Sequence, residues 1–325
     1  NEARNIDLVR TICATLDESE NLARAARLCK ADLTTEMVRE LTELQGIMGG
    51  LYAREEGLPA EVWKAIYGHY QPVNLEDRLP ETRLGKLLSA ADRLDTLAGC
   101  FNIDIIPSGS SDPLGLRRQA QGLVLILKDL RLETTVGELL STALGNFPAG
   151  GKSPEDTTAQ LQDFINQRIL FLAQRDGFPL DVVKAVLATG TAPVHDIWDR
   201  AGALHQIRTE PDFEALAAAF KRSRNILAQG DGTAEVRLDL LEEEEEKELY
   251  KKFSEIDPVI RELVETQAYL EALKTIASIR NSVDRFFDKV MVMVEDQAIR
   301  NNRLSLLRTI TDRILSIADI SEIAH

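Results

Sequence analysis

Apolar residues recur at spacings of three and four along most of this 325-residue chain, a period typical of α-helices with one buried face. The pattern predicts helices over residues 8–28 (as two short helices), 33–48, 62–70, 80–100, 157–173, 180–187, 195–207 and 213–227, then two long helical stretches and a final one that run to Ile323. Helices are therefore expected to make up the fold.

Glycine, proline and charged runs punctuate these helices. Gly49-Gly50 predicts the end of the helix over 33–48. Asp112-Pro113 and Asp257-Pro258 each predict a helix start, because Asp caps free amides and Pro is tolerated at the first helical position. The glycines of NFPAGGKSPEDT lack the spacing of a phosphate-binding loop, so that segment is predicted to be a connector. The acidic run LEEEEEKELY reads as a solvated helix face or a flexible approach.

Composition supports an all-α globular protein. Hydrophobic residues make up 44% and charged residues 28%, whereas aromatic residues are scarce at 5%. Helices tolerate that scarcity better than sheets, which draw on aromatic and β-branched side chains. The length predicts two or three hydrophobic cores.

Charge and cysteine content limit the functions that remain. A net charge of -15 argues against bulk attraction to DNA or to a membrane, so any RNA contact is expected to be local. Cys13, Cys29 and Cys100 lie far apart and predict neither a disulfide framework nor a zinc ribbon, which fits a cytoplasmic protein. The first residue is Asn1 and not Met, which suggests a piece of a longer protein.

An apolar stripe near the C-terminus predicts a packed helix. Over residues 281–294 the stripe includes Phe286, Phe287 and Met291, which we expect to build the core. Lys289 lies on the opposite side and is available to a partner. One face of this helix is therefore predicted to pack in the core, and the opposite face is predicted to be exposed.

The last helix carries an arginine on its apolar side. At 100° per residue, Arg303 projects with Leu307 and Ile310, so it needs an anionic partner. Asp284 or Asp288 of the preceding helix is the expected partner, which makes Arg303 an ion-paired clamp.

Polar residues beside Arg303 are the candidate RNA contacts. Arg300, Asn301, Asn302 and Arg308 combine two arginines and two amides near a helix start. Such groups can hold phosphate oxygens and the edges of unstacked bases, and Lys289 is added to this set.

These residues carry a resemblance to a known family. The segment SIRNSVDRFFDKVMVMVEDQAIRNNRLSLLRTITDRILSIADIS resembles the closing part of the bacterial glycyl-tRNA synthetase beta subunit, and FKRSRNIL resembles the basic helix that opens the same domain. The resemblance implies a helical anticodon-binding domain, of the kind shared with arginyl-tRNA synthetase, that grips the tRNA anticodon loop.

The resemblance extends to the N-terminal part. The blocks CKADLTTEMVRELTELQGIMGGLYAREEG and ADRLDTLAGCFNIDIIPSGSSDPLGLRRQAQG resemble the same beta subunit, where they belong to a domain related to HD phosphohydrolases. Such a hydrolase needs an adjacent His-Asp pair among its metal ligands. This chain has Lys30-Ala31-Asp32 at that place, and its His195-Asp196 pair lies outside the module. No working metal centre and no catalytic residue is therefore predicted.

The retained carboxylates are predicted to be structural. Asp32, Asp92 and Asp95, together with Lys30, are read as a vestigial cleft in which the carboxylates cap helices or pair with Lys30, Arg93 and Arg54. Alternatively, the cleft keeps a shape useful for tRNA.

Three arginines of this module are candidate phosphate contacts. Arg54, Arg117 and Arg118 are predicted to bind RNA phosphates. For Arg117 and Arg118, simple exposure to solvent is an equal alternative, because arginines in the first turn of a helix gain nothing from the helix dipole. The predicted domains are an HD-like helical domain over 1–132, a helical connector over 133–210 and the anticodon-binding domain over 211–325.

The implied function follows from the resemblance. Members of the family work as two alpha and two beta subunits: the alpha subunit uses ATP and Mg to activate glycine, and beta recognises tRNA(Gly). The chain is thus predicted to be a subunit fragment of an aminoacyl-tRNA synthetase, with no cofactor of its own and no catalysis alone. An HD-type metal-dependent phosphohydrolase and a helical scaffold for protein partners are the alternatives.

Overall fold

The computed structural model describes residues 16–148, 152–190, 192–230 and 235–323. The helices are α1 (Leu16–Leu28), α2 (Glu36–Glu40), α3 (Ile47–Glu55), α4 (Ala60–Gly68), α5 (Arg83–Asn102), α6 (Leu116–Leu130), α7 (Val136–Gly145), α8 (Pro154–Arg175), α9 (Leu180–Leu187), α10 (Val194–Ile207), α11 (Pro211–Leu227), α12 (Glu244–Glu265), α13 (Tyr269–Ala277), α14 (Arg280–Lys289) and α15 (Gln297–Leu315). Within these stretches the structure has no β-strand, so the predicted all-α class is confirmed. Part of the helix pair predicted over 8–28, residues 8–15, lies outside the described residues, as do residues 231–233 of the predicted break at 230–233.

The chain forms two units. The first comprises Asn1–Leu172 with Pro193–His195, and the second comprises Ala173–Ala192 with Asp196–His325. The division predicted from the sequence, at 132/133 and 210/211, stays a prediction.

Helix α5 forms the centre of the first unit. It packs against α1, α4, α6 and α7, and leucine and alanine residues on several of its sides are fully buried. Near its end, Phe101 lies 5.2 Å from the ring of Phe164 in α8. The core of the unit therefore surrounds α5 on several sides.

The predicted helix stop at Gly49-Gly50 is wrong, because both glycines lie inside α3. A Cβ at Gly50 would lie 2.5 Å from the Cβ of Tyr67 in α4, so the missing side chain permits two helices to approach closely. The glycine pair is a packing feature and not a terminator.

The two Asp-Pro signals do not open helices at their prolines. Helix α6 begins at Leu116, and the Asp112 carboxylate accepts hydrogen bonds from the amides of Leu116 (2.8 Å) and Arg117 (3.0 Å). Asp112 therefore caps the helix as expected, but Pro113 precedes it. Pro258 lies inside α12.

In the second unit, α12 packs against α13, α14 and α15, and α15 also packs against α11. Phe286 and Phe287 are buried, as predicted. The helix predicted over 281–294 ends at Lys289, and the following residues alternate: Val290 and Val292 are buried, whereas Met291 is 72% exposed. The prediction that Met291 builds the core is therefore wrong, because the helix whose apolar face would have buried it ends two residues earlier, and Val290 is extended.

Candidate nucleic-acid interface

Lys30 occupies the cleft of the first unit. Its ammonium lies 2.8 Å from an Asp92 carboxylate oxygen, 3.3 Å from Nε2 of His69 and 4.0 Å from the centroid of the Tyr70 ring. Burial lowers the pKa of Lys30, but Asp92 and Tyr70 more than offset this and leave the pKa raised. The predicted pairing of Lys30 with a retained carboxylate is confirmed.

The neighbours of His69 determine its tautomer. Its Nδ1 lies 2.6 Å from the carbonyl oxygen of Ile66, which can only accept, so Nδ1 carries the proton. Nε2 then accepts from the Lys30 ammonium. Burial, followed by the Lys30 charge, lowers the pKa of His69 to about 4, so the ring stays neutral at physiological pH.

Asp32 caps helix α3. One of its carboxylate oxygens accepts hydrogen bonds from the amides of Gly46 (2.6 Å) and Gly49 (3.0 Å), and the side chain is buried. The predicted capping role of Asp32 is confirmed. Asp95 is also buried in this unit.

Arg93 does not pair with a carboxylate of the cleft as expected. Its guanidinium donates to the Gln119 side-chain oxygen at 2.8 Å, to the Ser89 hydroxyl at 3.2 Å and to the carbonyls of Tyr70 and Pro72. Burial lowers the pKa of Arg93 to about 10. Because the side chain is buried and uses its donors internally, it cannot reach a phosphate.

Within the described residues, His, Cys, Asp and Glu side chains nowhere form a group of three or more that could hold a metal ion. None of the described helices combines the length and apolar character needed to cross a bilayer.

The three candidate arginines of the first unit differ in accessibility. Arg54 is exposed, pairs with Glu55 at 2.9 Å and lies 5.9 Å from the Trp63 ring centroid. Arg117 is half-buried and donates to the carbonyl of Gly109 at 2.8 Å, whereas Arg118 is exposed on the first turn of α6. Arg54 and Arg118 therefore have the more accessible guanidinium groups.

Arg303 is an ion-paired clamp, as predicted, but its partners are not Asp284 or Asp288. Its guanidinium pairs with Glu246, lies 3.9 Å from Glu242 and donates to the Met291 carbonyl at 2.8 Å. Glu246 is fully buried, so the prediction of a solvated or flexible LEEEEEKELY run is wrong at this position. The pair joins α15 to the start of α12.

Asn302 is a buried structural residue, which corrects its prediction as an RNA contact. Its side-chain oxygen accepts from the amide of Arg237 at 2.7 Å, and its side-chain nitrogen donates to the carbonyl of Arg237 at 3.0 Å. With 4% of its surface exposed, the amide has no edge left for a base.

The other candidates on α15 remain at the surface. Asn301 is exposed, Arg300 and Arg308 are half-buried, and Lys289 of α14 is exposed. At the start of α15 the amides of Ala298 and Ile299 already donate to the Asp296 carboxylate. That carboxylate also places a negative charge where a phosphate would approach the helix start, so side chains are the favoured phosphate contacts in this region.

The basic segment FKRSRNIL forms the C-terminal part of α11, and two of its cations are engaged within the domain. Arg222 lies 4.6 Å from the Phe287 ring centroid, and Arg224 pairs with Asp319 at 3.2 Å. Lys221 is exposed. Two of these cations therefore stabilise the domain.

A group of cations and rings on the first unit was missed in the sequence. Trp63, Lys64 and Tyr67 of α4 lie with Arg54 and Arg78 around one groove. The signal was present as the interleaving of aromatic and basic residues in VWKAIY, a composition typical of nucleic-acid surfaces.

The helical second unit corresponds to a class of RNA-recognition domain. Residues 216–322 match the family model described as the DALR anticodon binding domain. Residues 2–188, more than half of the chain, match the family model described as the glycyl-tRNA synthetase beta subunit. The chain therefore belongs to the glycyl-tRNA synthetase beta subunit family, and the predicted resemblance is confirmed.

Curated relatives agree with this family. The glycine-tRNA ligase beta subunit of Acidobacterium capsulatum is 43% identical over 97% of this chain and 46% of the relative. Those of Desulforamulus reducens and Moorella thermoacetica are 40% and 39% identical, over 97% and 98% of this chain and 46% of each relative. The chain spans about half the length of the curated relatives it matches.

Proposed function

We propose that this chain is the tRNA-recognition portion of a glycine-tRNA ligase beta subunit and that it binds tRNA(Gly), including its anticodon loop. The match of residues 216–322 to an anticodon-binding domain carries the proposal. The names of the curated relatives support the choice of tRNA(Gly). In this proposal an alpha subunit, in an assembly of two alpha and two beta chains, uses ATP and Mg to attach glycine.

The surface of the second unit supplies the proposed anticodon-loop contacts. Lys289 of α14 and Asn301 of α15 are exposed, whereas Arg300 and Arg308 of α15 are half-buried. Together they combine positive charge with a side-chain amide. Unpaired loop bases are recognised by such groups, because their edges and phosphates are accessible to side chains. Asn302 is excluded from this set because it is buried.

The first unit is proposed to add phosphate contacts through Arg54, Arg117 and Arg118. The chain has a net charge of -15, so nonspecific attraction of RNA is weak and local cations must supply the affinity. The hydrolase alternative is not supported, because the Lys30 ammonium lies between the imidazole and the carboxylate that a metal would use.

A binding titration tests the proposal. The affinity of the chain for a tRNA(Gly) transcript is measured by fluorescence anisotropy at several salt concentrations, for wild type and for Arg300→Ala/Arg308→Ala. If both arginines contact phosphates, affinity falls and the slope of log K against log salt becomes shallower by about two. Arg261→Ala/Lys274→Ala, which removes two exposed cations of the same unit, is the matched control.

Two outcomes contradict different parts of this proposal. Unchanged affinity and slope in Arg300→Ala/Arg308→Ala removes those residues from the interface. Failure of the wild-type chain to bind tRNA(Gly) at low salt contradicts the function itself.

A further inference from the structure

An open groove of about 540 Å³ runs along α3, α4 and the segment before α5. Its volume is within the range of small-ligand sites, about 300–1,000 Å³. Its charged and aromatic lining consists of Arg54, Trp63, Lys64, Tyr67, Arg78 and Glu81. We refer to it as the α3/α4 groove.

The close approach of two helices builds the groove. Gly50 brings α3 against the backbone of Tyr67, so Arg54 on the next turn of α3 lies beside the rings of α4. Trp63 and Tyr67 are four residues apart and share one face of α4. Tyr67 is 41% exposed, so its ring is accessible from solvent.

Cations surround these rings. The charged groups of Arg54 and Lys64 each lie 5.9 Å from the centroid of the Trp63 ring. Arg54 also pairs with Glu55, and Lys64 pairs with Glu81, both at 2.9 Å. The groove lining therefore holds three cations and one carboxylate, in a chain whose net charge is strongly negative.

Arg78 is the cation of the groove whose guanidinium donors are available to a ligand. It is exposed, and its guanidinium makes no ion pair or hydrogen bond to another described residue. A flexible cation at the rim of an aromatic groove suits a ligand that has both an anion and a flat ring.

We propose that the α3/α4 groove binds one unstacked nucleotide of the tRNA, with the base stacked on Tyr67 beside Trp63 and a phosphate on Arg78 and Arg54. This inference rests on the proposed function, since it assumes that tRNA is the ligand of the chain. An unpaired nucleotide uses both features of the groove, because bases stack on aromatic rings while arginine holds the phosphate. An acidic peptide would use the cations and leave the rings without a partner.

The test separates stacking from charge. In a Trp198→Phe background Trp63 is the sole tryptophan, and its emission is followed while tRNA(Gly) is added; anisotropy gives the affinity. We expect quenching of Trp63 on binding. Tyr67→Ala should weaken binding by about 5- to 150-fold at unchanged salt slope, since a stacked base contributes about 1–3 kcal/mol. Tyr67→Phe should retain the affinity.

Arg78→Ala addresses the phosphate contact. It should weaken binding and reduce the salt slope by about one, the value for one lost phosphate contact. Tyr52→Ala and Arg39→Ala, at exposed positions of the same unit outside the groove lining, are the controls and should leave binding unchanged. Thermal melts verify the fold of each variant, and if Tyr67→Ala does not fold, Arg78→Glu decides the question.

The outcomes distinguish the groove from the function. If wild type binds tRNA(Gly) while Tyr67→Ala, Arg78→Ala and Arg78→Glu bind equally well without a change in slope, the groove assignment is overturned and the proposed function stands. If wild type does not bind tRNA at low salt, the proposed function fails and takes the groove assignment with it. Quenching of Trp63 by polyglutamate but not by tRNA would identify an acidic-peptide site and also overturn the assignment.

Discussion

Removal of the Arg303 guanidinium should destabilise the second unit far more than removal of an exposed arginine. The side chain of Arg303 is 4% exposed and that of its partner Glu246 is 0% exposed. In Arg303→Met, Glu246 loses its cation, and the Met291 carbonyl loses a donor at 2.8 Å. The remaining hydrogen bond to Glu246, from the amide of Glu242 at 3.0 Å, cannot neutralise a buried carboxylate.

The magnitude follows from the desolvation of that carboxylate. Breaking a buried ion pair by removing one partner lowers the free energy of unfolding by about 3–5 kcal/mol. Each kcal/mol shifts the midpoint of a domain of this size class by about 2–4 °C, so the expected loss is on the order of 10 °C. Arg285→Met removes an arginine from an exposed pair with Glu248 and should lower the free energy of unfolding far less, because exposed ion pairs contribute little to stability.

Tryptophan fluorescence can follow the second unit separately. In a Trp63→Phe background, the buried Trp198 is the remaining tryptophan, and its indole donates to Asp176 at 2.7 Å. Urea unfolding then gives the free energy of unfolding for each variant, and a thermal melt gives its midpoint temperature. Arg303→Met/Glu246→Leu should recover much of the loss, because an apolar pair leaves no buried charge. The reasoning is refuted if Arg303→Met lowers the free energy of unfolding no more than Arg285→Met does.

Three further predictions concern the first unit. Because His69 has a pKa of about 4 when folded and 6.5 when unfolded, wild type should lose roughly 3 kcal/mol of unfolding free energy between pH 6.5 and 4 relative to His69→Gln; parallel pH profiles would contradict this. Gly50→Ala should lower the thermal midpoint by several degrees through its clash with Tyr67, whereas Gly145→Ala, which meets no neighbour, should leave it nearly unchanged; equal midpoints would argue against the close approach. Cys29 is fully buried, and burial raises its pKa to about 12, so iodoacetamide with peptide mapping should find it unmodified in the folded chain at pH 8; labelling at the rate of the denatured chain is the contrary result.

The helical period predicted most elements well, but it failed where a helix is buried on more than one side. In α15 the period correctly placed Arg303 on the buried side. Its neighbour Asn302 was predicted to contact RNA as an amide near the helix start, yet all residues from 302 to 307 are buried. An amphipathic pattern assumes one packed face, whereas α15 also packs against the segment that contains Arg237. The sequence alone does not reveal that second contact.

Local signals failed where tertiary contacts override them. Gly49-Gly50 reads as a helix end by propensity, but the absence of Cβ atoms serves helix packing. Asp257-Pro258 reads as a helix start, but α12 continues through it, and Asp257 accepts from Arg313 at 2.5 Å and from Arg261 at 2.8 Å. Partners far along the chain, which no local motif specifies, determine both outcomes.

Residue choice at the candidate interface shows the same limit. The exposure of Lys289 and Asn301 could be predicted from the side of the helix on which each lies. The α3/α4 groove could not be predicted in this way, because it depends on the close approach of two helices that only the fold shows. Aromatic residues interleaved with basic ones therefore indicate a candidate binding surface that an analysis of helical periodicity alone does not detect.

The Lys30 ammonium makes the charge balance in the cleft of the first unit independent of any metal ion in solution. A diffusible ion stabilises a fold only to the extent that its free concentration exceeds its dissociation constant. Lys30 is covalently attached, so the positive charge beside His69 and Asp92 cannot be diluted, exchanged for another element or withdrawn by a chelator. Starvation for transition metals would therefore leave this part of the protein with its internal charge balance intact.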